Sequence, residues 1–207
     1  MVANHIHDAL AQVRTLQAFI IERNMFKGYS GTARLVAGTA AIGGAAVLSL
    51  APVPADPWIH LIGWGIVLAV GLIANYAALA YWFIFDRSVR RNALMLKPAL
   101  DAIPALAVGA ALSVALIHHR QFDMLFGTWM AVYGLAQVAY RHSLPNGIHV
   151  IGLFYILCGM WCLVYPAVNF MQPWPMGLAF GAGELAGGMV LIGEHRRSAA
   201  VITPEET

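Results

Sequence analysis

The stretch WIHLIGWGIVLAVGLIANYAALAYWFIF, residues 58–85, contains no Asp, Glu, Lys or Arg. A helix needs about 20 apolar residues to cross the hydrocarbon core of a bilayer. This stretch therefore predicts a membrane-spanning helix that is long enough to tilt or to project beyond the bilayer. In the whole chain of 207 residues, 60% are hydrophobic and 11% are charged. That composition excludes a disordered chain, a nucleic-acid-binding protein and an ordinary soluble enzyme.

Five further apolar stretches predict additional spans, so the expected fold is an all-α integral membrane protein with a six-transmembrane helical bundle. The predicted spans are approximately 33–53, 58–85, 98–117, 124–140, 148–165 and 175–193, within one transmembrane domain of residues 31–195. Asp56 and Pro57 suit the first turn of a helix, and Pro145 begins a turn signal before the fifth span. Because the connections are short, we expect consecutive helices to pack as neighbours.

The Lys and Arg residues predict the orientation of these spans. All twelve except Arg120 fall on one side of the six predicted spans. Since Lys and Arg are enriched in cytoplasmic loops, both termini are predicted to be cytoplasmic, in a bacterial cytoplasmic membrane. Arg34, at the start of the first span, is counted among the cytoplasmic charges. The basic face is expected to contact anionic lipids rather than nucleic acid.

Residues 1–30 are predicted to form an N-terminal amphipathic helix at the interface on the cytoplasmic face. Apolar residues recur there at helical spacing, namely Ile6, Leu10, Val13, Leu16 and Ile20. Such a helix either anchors the chain at the membrane surface or docks a partner, which would be a second copy of the chain or another subunit of a membrane complex. Residues 196–207 are predicted to be a short cytoplasmic tail.

Glu184 is the one acidic residue near the middle of a predicted span, and glycines surround it at positions 181, 183, 187 and 188. A charge at the bilayer centre costs about 2.5–3.5 kcal/mol even on a lenient scale, which makes such a residue a functional candidate. The glycines allow close helix packing, so Glu184 is expected to be buried against protein. It is either a proton-binding or ion-binding carboxylate, or a protonated hydrogen-bond donor that fastens the sixth span to its neighbours.

Other polar residues are predicted to line a path with Glu184. With a rise of 1.5 Å per residue, Tyr133 and Tyr155 fall in about the same layer as Glu184, where either hydroxyl can hydrogen-bond the carboxyl. Asn75 and Gln137 lie somewhat deeper towards the cytoplasm. The alternative interpretation of this layer is interhelical hydrogen bonding that serves packing alone.

Four residues at the predicted outer boundary are candidate metal ligands: His60, His118, His119 and Asp123. Imidazole and carboxylate groups are suitable ligands for zinc, copper or iron. Their spacing matches no specific metal motif, so no cofactor is strongly implied. The chain also lacks a phosphate-binding glycine loop, HExxH, GxSxG and a dinucleotide-binding motif.

These observations leave three functions open. The preferred one is a small-solute or ion channel or transporter, because Glu184 lies in a polar layer of a chain with almost no extramembrane mass. The second is an accessory or assembly subunit of a larger membrane complex, which the N-terminal helix and the glycine-rich sixth span favour. The third is a metal-dependent or redox membrane enzyme that uses the outer histidine group.

Overall fold

The computed structural model describes residues 30–50, 53–85, 103–139, 145–165 and 168–202. Within these ranges the chain forms α-helices and one short 3₁₀ turn, and no β-strand. The predicted helix at residues 1–30, the basic segment at residues 86–102 and the last five residues lie outside them. The helices are α1 Gly31–Leu50, α2 Pro57–Phe85, α3 Ile103–His118, α4 Leu125–Ala139, α5 Asn146–Val164 and α6 Trp174–Ile202.

Four of the helices, α1, α2, α5 and α6, are long and apolar enough to cross a membrane. The other two are shorter, with 16 residues in α3 and 15 in α4. At 1.5 Å per residue they measure about 24 and 22 Å, against a hydrocarbon core of about 30 Å. The prediction of an all-helical membrane protein is confirmed, and within the described residues four helices meet the length required of a spanning helix.

The ends of the helices follow local chemistry. Helix α2 begins at Pro57, and the Oδ1 atom of Asp56 accepts a hydrogen bond from the backbone N–H of Trp58 at 2.8 Å. This contact satisfies one of the N–H groups that a helix leaves unpaired in its first turn. Helix α6 continues to Ile202, so the predicted tail of residues 196–207 starts as a continuation of this helix. Neither Pro nor Gly interrupts residues 194–202, and Pro204 follows shortly after the helix ends.

Small residues at a spacing of seven bring the helices together in two close pairs. In the first pair, Gly31 and Gly38 of α1 face α6, and a Cβ atom at Gly31 would lie 2.7 Å from the carbonyl oxygen of Gly188. In the second pair, a Cβ atom at Gly134 of α4 would lie 2.6 Å from the carbonyl oxygen of Gly152 on α5. A seven-residue repeat returns to the same helix face after two turns, so each backbone stays close to its partner over several turns.

Contacts at the two ends of the bundle show that the helices alternate in direction. At one end, which we call the Trp58 end, the Trp58 ring lies 5.6 Å from the Phe122 ring, and the Asp123 carboxylate accepts a 2.7 Å hydrogen bond from the N–H of Phe170. These contacts join the start of α2 to the α3–α4 and α5–α6 connections. At the opposite end, the Gly31 end, the start of α1 packs against the second half of α6.

Candidate functional site: a buried ion pair between four helices

The Glu184 carboxylate lies inside the bundle, with 3% of the residue exposed. Its Oε1 atom accepts a hydrogen bond from Arg34 Nη2 at 2.8 Å, from the Tyr133 hydroxyl at 2.9 Å and from the Tyr155 hydroxyl at 3.0 Å. The three donors belong to α1, α4 and α5, while Glu184 belongs to α6. One carboxylate oxygen therefore connects four helices.

Arg34 is the residue of this site that the sequence analysis missed. Its place among the basic residues that precede the first span predicts a cytoplasmic charge, whereas in the structure the residue is 1% exposed and forms an ion pair with Glu184. Arg34 is the fourth residue of α1, on the side that packs against α6 together with Gly31 and Gly38. The signal in the sequence is that Arg34 lies between the small residues Gly31 and Gly38, while another span carries an acidic residue. This combination predicts a basic residue that faces a neighbouring helix.

The glycines around Glu184 make room for the groups that bind it. A Cβ atom at Gly187 would lie 2.5 Å from Cζ of Arg34, and one at Gly183 would overlap the ring of Tyr155. Because neither glycine has a side chain, the guanidinium and the phenol can both reach the carboxylate. The pattern Gly183-Glu184-x-x-Gly187 is thus part of the site and not merely a helix-packing signal.

Gln137 of α4 also contacts the guanidinium and is 3% exposed. Its Oε1 atom is 3.5 Å from Arg34 Nη2. Because a guanidinium offers only donors, the amide oxygen is the atom that faces it. The Nε2 atom of Gln137 is buried and has no hydrogen-bond partner in the part of the chain that the structure describes.

Three aromatic rings pack together beside the carboxylate. Tyr133 lies 5.1 Å from Tyr155 in an edge-to-face arrangement, and Phe180 lies within 5.3 Å of both rings. Such aromatic pairs fix the orientation of the rings. The two hydroxyls are therefore held on the carboxylate, and Tyr155 itself is fully buried.

The arrangement is electrically balanced, with one guanidinium against one carboxylate. Removing either partner of a buried pair leaves an uncompensated charge, which is strongly destabilising. Whether Glu184 binds a proton or an ion or serves packing alone, its Oε1 atom is the acceptor for three groups that join α6 to its neighbours. Chemically, the carboxylate can take up a proton, and the guanidinium can hold an anion.

Asn75 is not part of this site. Its Nδ2 atom donates a 2.9 Å hydrogen bond to the carbonyl oxygen of Gly71 in its own helix. Trp129 lies on the same helix face as Tyr133 and Gln137, but its indole N–H donates to Ser113 of α3 at 2.8 Å. The polar layer predicted around Glu184 thus includes Tyr133, Tyr155 and Gln137 and leaves Asn75 outside.

The four candidate metal ligands are not gathered into one site. Among the described residues, no group of three or more His, Cys, Asp and Glu side chains is placed to hold a metal ion. Asp123 instead accepts the backbone N–H of Phe170, and His60 packs near the Phe170 ring at 6.4 Å. The rings of His118 and His119 lie edge to face, 5.2 Å apart.

No protein family, curated protein or solved structure matches this chain.

Proposed function

We propose that this protein is a membrane transporter for a small solute, and that Glu184 takes up and releases a proton during each transport cycle. The observation that supports this proposal is the Arg34–Glu184 pair, which is almost completely buried between apolar helices. Ionisable residues inside membrane helices commonly mark substrate pathways and proton relays.

Stability alone is a weak reason for such a pair. Replacing a buried ion pair by apolar residues of similar size is often neutral or stabilising, because each charge has a large desolvation cost. In a transport cycle the pair has a second role, because protonation of Glu184 removes the negative charge that Arg34 faces. The same event weakens a contact that joins α6 to α1, and so alters the balance between two arrangements of the bundle.

We further propose that the chain has six spans with both termini in the cytoplasm. Helices α3 and α4 are short, but both ends of α3 lie near α2. Arg120, which follows α3, stacks over the Trp58 ring at 5.8 Å. Ala105, near the start of α3, packs in the same apolar cluster as Leu79 and Trp82 of α2. Helix α3 therefore runs in the direction opposite to that of α2, and α4 returns beside α3.

The charge distribution supports this orientation even after Arg34 is removed from it. Apart from Arg34 and Arg120, every Lys and Arg belongs to segments that adjoin the Gly31 end of the bundle. This end is then the cytoplasmic face of a bacterial cytoplasmic membrane. The amphipathic pattern of residues 1–30 suits a helix at that face, in contact with anionic lipids.

The proposal is tested by proton movement in liposomes that contain the purified protein and a trapped pH-sensitive dye. Inward gradients of potassium phosphate, potassium succinate, potassium chloride, glycine and choline chloride are imposed in turn. We expect at least one of these solutes to drive proton movement with the wild-type chain. Glu184→Gln removes the proton-exchanging group and is expected to abolish that movement.

Glu194→Gln is the matched control, because Glu194 lies on the same helix but is partly exposed and bonded to Arg197. It is expected to retain the wild-type rate. Proton movement at the wild-type rate in Glu184→Gln would contradict the role of Glu184. Absence of solute-driven proton movement with the wild-type chain for all five solutes would contradict the transport function.

A further inference from the structure

We propose that a groove between the start of α2 and the end of α3 binds an anionic phospholipid, and that Arg120 holds the phosphate of its headgroup. We call this site the Arg120 groove. It belongs to the Trp58 end of the bundle, so the lipid comes from the leaflet that adjoins this end. The inference goes beyond the transport function and does not depend on it.

The Arg120 groove has a volume of about 400 Å³ and is open to the surroundings of the bundle. This volume lies in the range of small-molecule sites, about 300–1,000 Å³. An aromatic ring, two aliphatic side chains and two basic side chains line it, namely Trp58, Val114, Ile117, His118 and Arg120. The groove therefore offers both apolar and basic contacts to one ligand.

The backbone of Arg120 has a conformation that arginine rarely adopts. Its φ is 61°, and no other non-glycine residue in the described ranges has a positive φ. The N–H of Arg120 donates to the carbonyl oxygen of Ile117 at 3.1 Å, and the N–H of Gln121 donates to that of Leu116 at 2.8 Å. These two bonds form the Schellman motif, in which the residue at the position of Arg120 is usually glycine because a side chain there costs stability. An arginine at this position therefore points to a function of its side chain.

The Arg120 guanidinium has the donors that a phosphate needs. It lies over the Trp58 ring, 5.8 Å from the ring centroid, and this cation–π contact leaves the N–H groups of the guanidinium unused. The two carboxylates described at this end, Asp56 and Asp123, each accept a backbone N–H and form no ion pair with Arg120. Since a guanidinium presents parallel N–H groups, it matches two oxygens of a phosphate, and His118 on the same groove offers a further donor.

The apolar part of the Arg120 groove favours a lipid over a free phosphate ion. Val114 lies about 6 Å further from the end of α3 than His118, at 1.5 Å per residue. The aliphatic side chains therefore lie towards the hydrocarbon core, while Trp58 and Arg120 lie at the depth of the headgroups. An acyl chain contacts Val114 and Ile117 when the phosphate is on Arg120, whereas an inorganic phosphate ion has no group for that wall.

The test is native mass spectrometry of the full chain in detergent during titration with three probes. These are phosphatidylglycerol, phosphatidylcholine with the same acyl chains, and inorganic phosphate. We expect the wild-type chain to bind its first phosphatidylglycerol about tenfold more tightly than phosphatidylcholine, whose choline cation is repelled by Arg120. Arg120→Gln is expected to weaken the binding of phosphatidylglycerol about tenfold, the effect of one hydrogen bond to a charged group.

Arg196→Gln is the matched control, because Arg196 is exposed near the other end of the bundle and the variant loses the same charge. It is expected to bind the first phosphatidylglycerol as the wild type does. Equal weakening in the two variants would show that binding follows net charge alone, and would overturn the assignment of Arg120.

Arg120→Gly separates lipid binding from folding. Glycine adopts the positive φ of this position without a steric cost, so the Tm in lipid-free detergent is expected to equal or exceed the wild-type value. Binding of phosphatidylglycerol is expected to fall as in Arg120→Gln. A Tm clearly below the wild-type value would show that Arg120 is kept for folding, and would overturn the argument from its conformation.

Val114→Trp fills the Arg120 groove and leaves the guanidinium in place, so it is expected to weaken the binding of phosphatidylglycerol. Leu112→Trp is its matched control, because Leu112 is 42% exposed on the same helix and does not line the groove. Equal binding in these two variants would overturn the groove as the lipid site. Inorganic phosphate that binds as tightly as phosphatidylglycerol would replace the lipid by a free anion, and equal affinity for the two lipids would overturn the selection of an anionic headgroup.

Discussion

The Arg34 guanidinium and the Glu184 carboxylate are 150 positions apart in the chain, yet they form an ion pair that is almost completely buried. Two tyrosine hydroxyls complete the shell of the carboxylate oxygen. A charge in such surroundings is tolerated only while its partner is present. The pair should therefore behave as one energetic unit.

A double-mutant cycle measures this coupling. Arg34→Met and Glu184→Met are each expected to lower the free energy of unfolding by about 3–5 kcal/mol, because each removes one partner of a buried ion pair. The double variant should lose much less than the sum of the two, since both charges of the pair are removed together. Helix content followed during unfolding in mixed detergent gives the three free energies.

The surface pair Arg197–Glu194 provides the control for that cycle. These two side chains are 82% and 37% exposed and lie 3.4 Å apart on one helix. Exposed pairs of this kind contribute about 0.2–1 kcal/mol at most, so little coupling is expected. Additive losses in the Arg34 and Glu184 variants would contradict the buried ion pair.

At the scale of helices, backbone contact between α4 and α5 places the two tyrosines of the site. Gly127 and Gly134 of α4 meet Gly159 and Gly152 of α5 in an antiparallel arrangement. Because membrane helices lack a hydrophobic driving force toward each other, close backbone packing stabilises their association. Tyr133 on α4 and Tyr155 on α5 are therefore held at the depth of Glu184 by glycines that lie outside the site.

Gly159→Ala tests this packing. The added Cβ atom would lie 2.6 Å from the backbone nitrogen of Ala131 and 2.7 Å from the carbonyl oxygen of Gly127. Backbone atoms cannot move aside without separating the helices, so we expect a loss of about 1–3 kcal/mol. Thermal unfolding in detergent measures the change as a lower Tm.

Gly65→Ala is the matched control for this helix pair. A Cβ atom at Gly65 of α2 meets nothing within 4 Å, and the residue is exposed on the surface of the bundle. Its Tm should stay at or slightly above the wild-type value, because Ala favours helix more than Gly. Equal Tm values for Gly159→Ala and the wild type would show that α4 and α5 are not in backbone contact.

At the scale of the whole molecule, the open question is whether α3 and α4 cross the membrane. Cysteine labelling answers it in a background where Cys158 and Cys162 are replaced by Ala. Under the six-span arrangement, Gln121→Cys in the α3–α4 connection is labelled by a membrane-impermeant maleimide from outside intact cells. Glu194→Cys, near the end of α6, is labelled only after the cells are made permeable.

The two labelling patterns separate the alternatives. If α3 and α4 enter the membrane and return without crossing it, Gln121→Cys is not labelled from outside. If the orientation is reversed, Glu194→Cys is labelled in intact cells and Gln121→Cys is not. Either pattern would contradict six spans with cytoplasmic termini, while four spans would remain compatible with the helix lengths.

The sequence by itself determined the all-helical membrane fold and identified Glu184 as a candidate functional residue. Transfer of a helix into lipid depends mainly on the composition of that segment, so residues 58–85 predict a span without knowledge of their neighbours. Depth along a helix also follows from residue number, which is why Tyr133 and Tyr155 were placed in the layer of Glu184.

Only the tertiary structure decided which polar groups meet. Arg34 has the sequence position of a cytoplasmic charge, and its burial depends on the rotation of α1 against α6, which the spacing of Gly31, Gly38 and Gly188 establishes in three dimensions. Asn75 has a depth similar to that of Gln137, but the outward position of α2 leaves it bonded to its own helix. The depth of a residue follows from its position in one helix. Which groups its side chain contacts depends on how the helices are rotated and packed against each other.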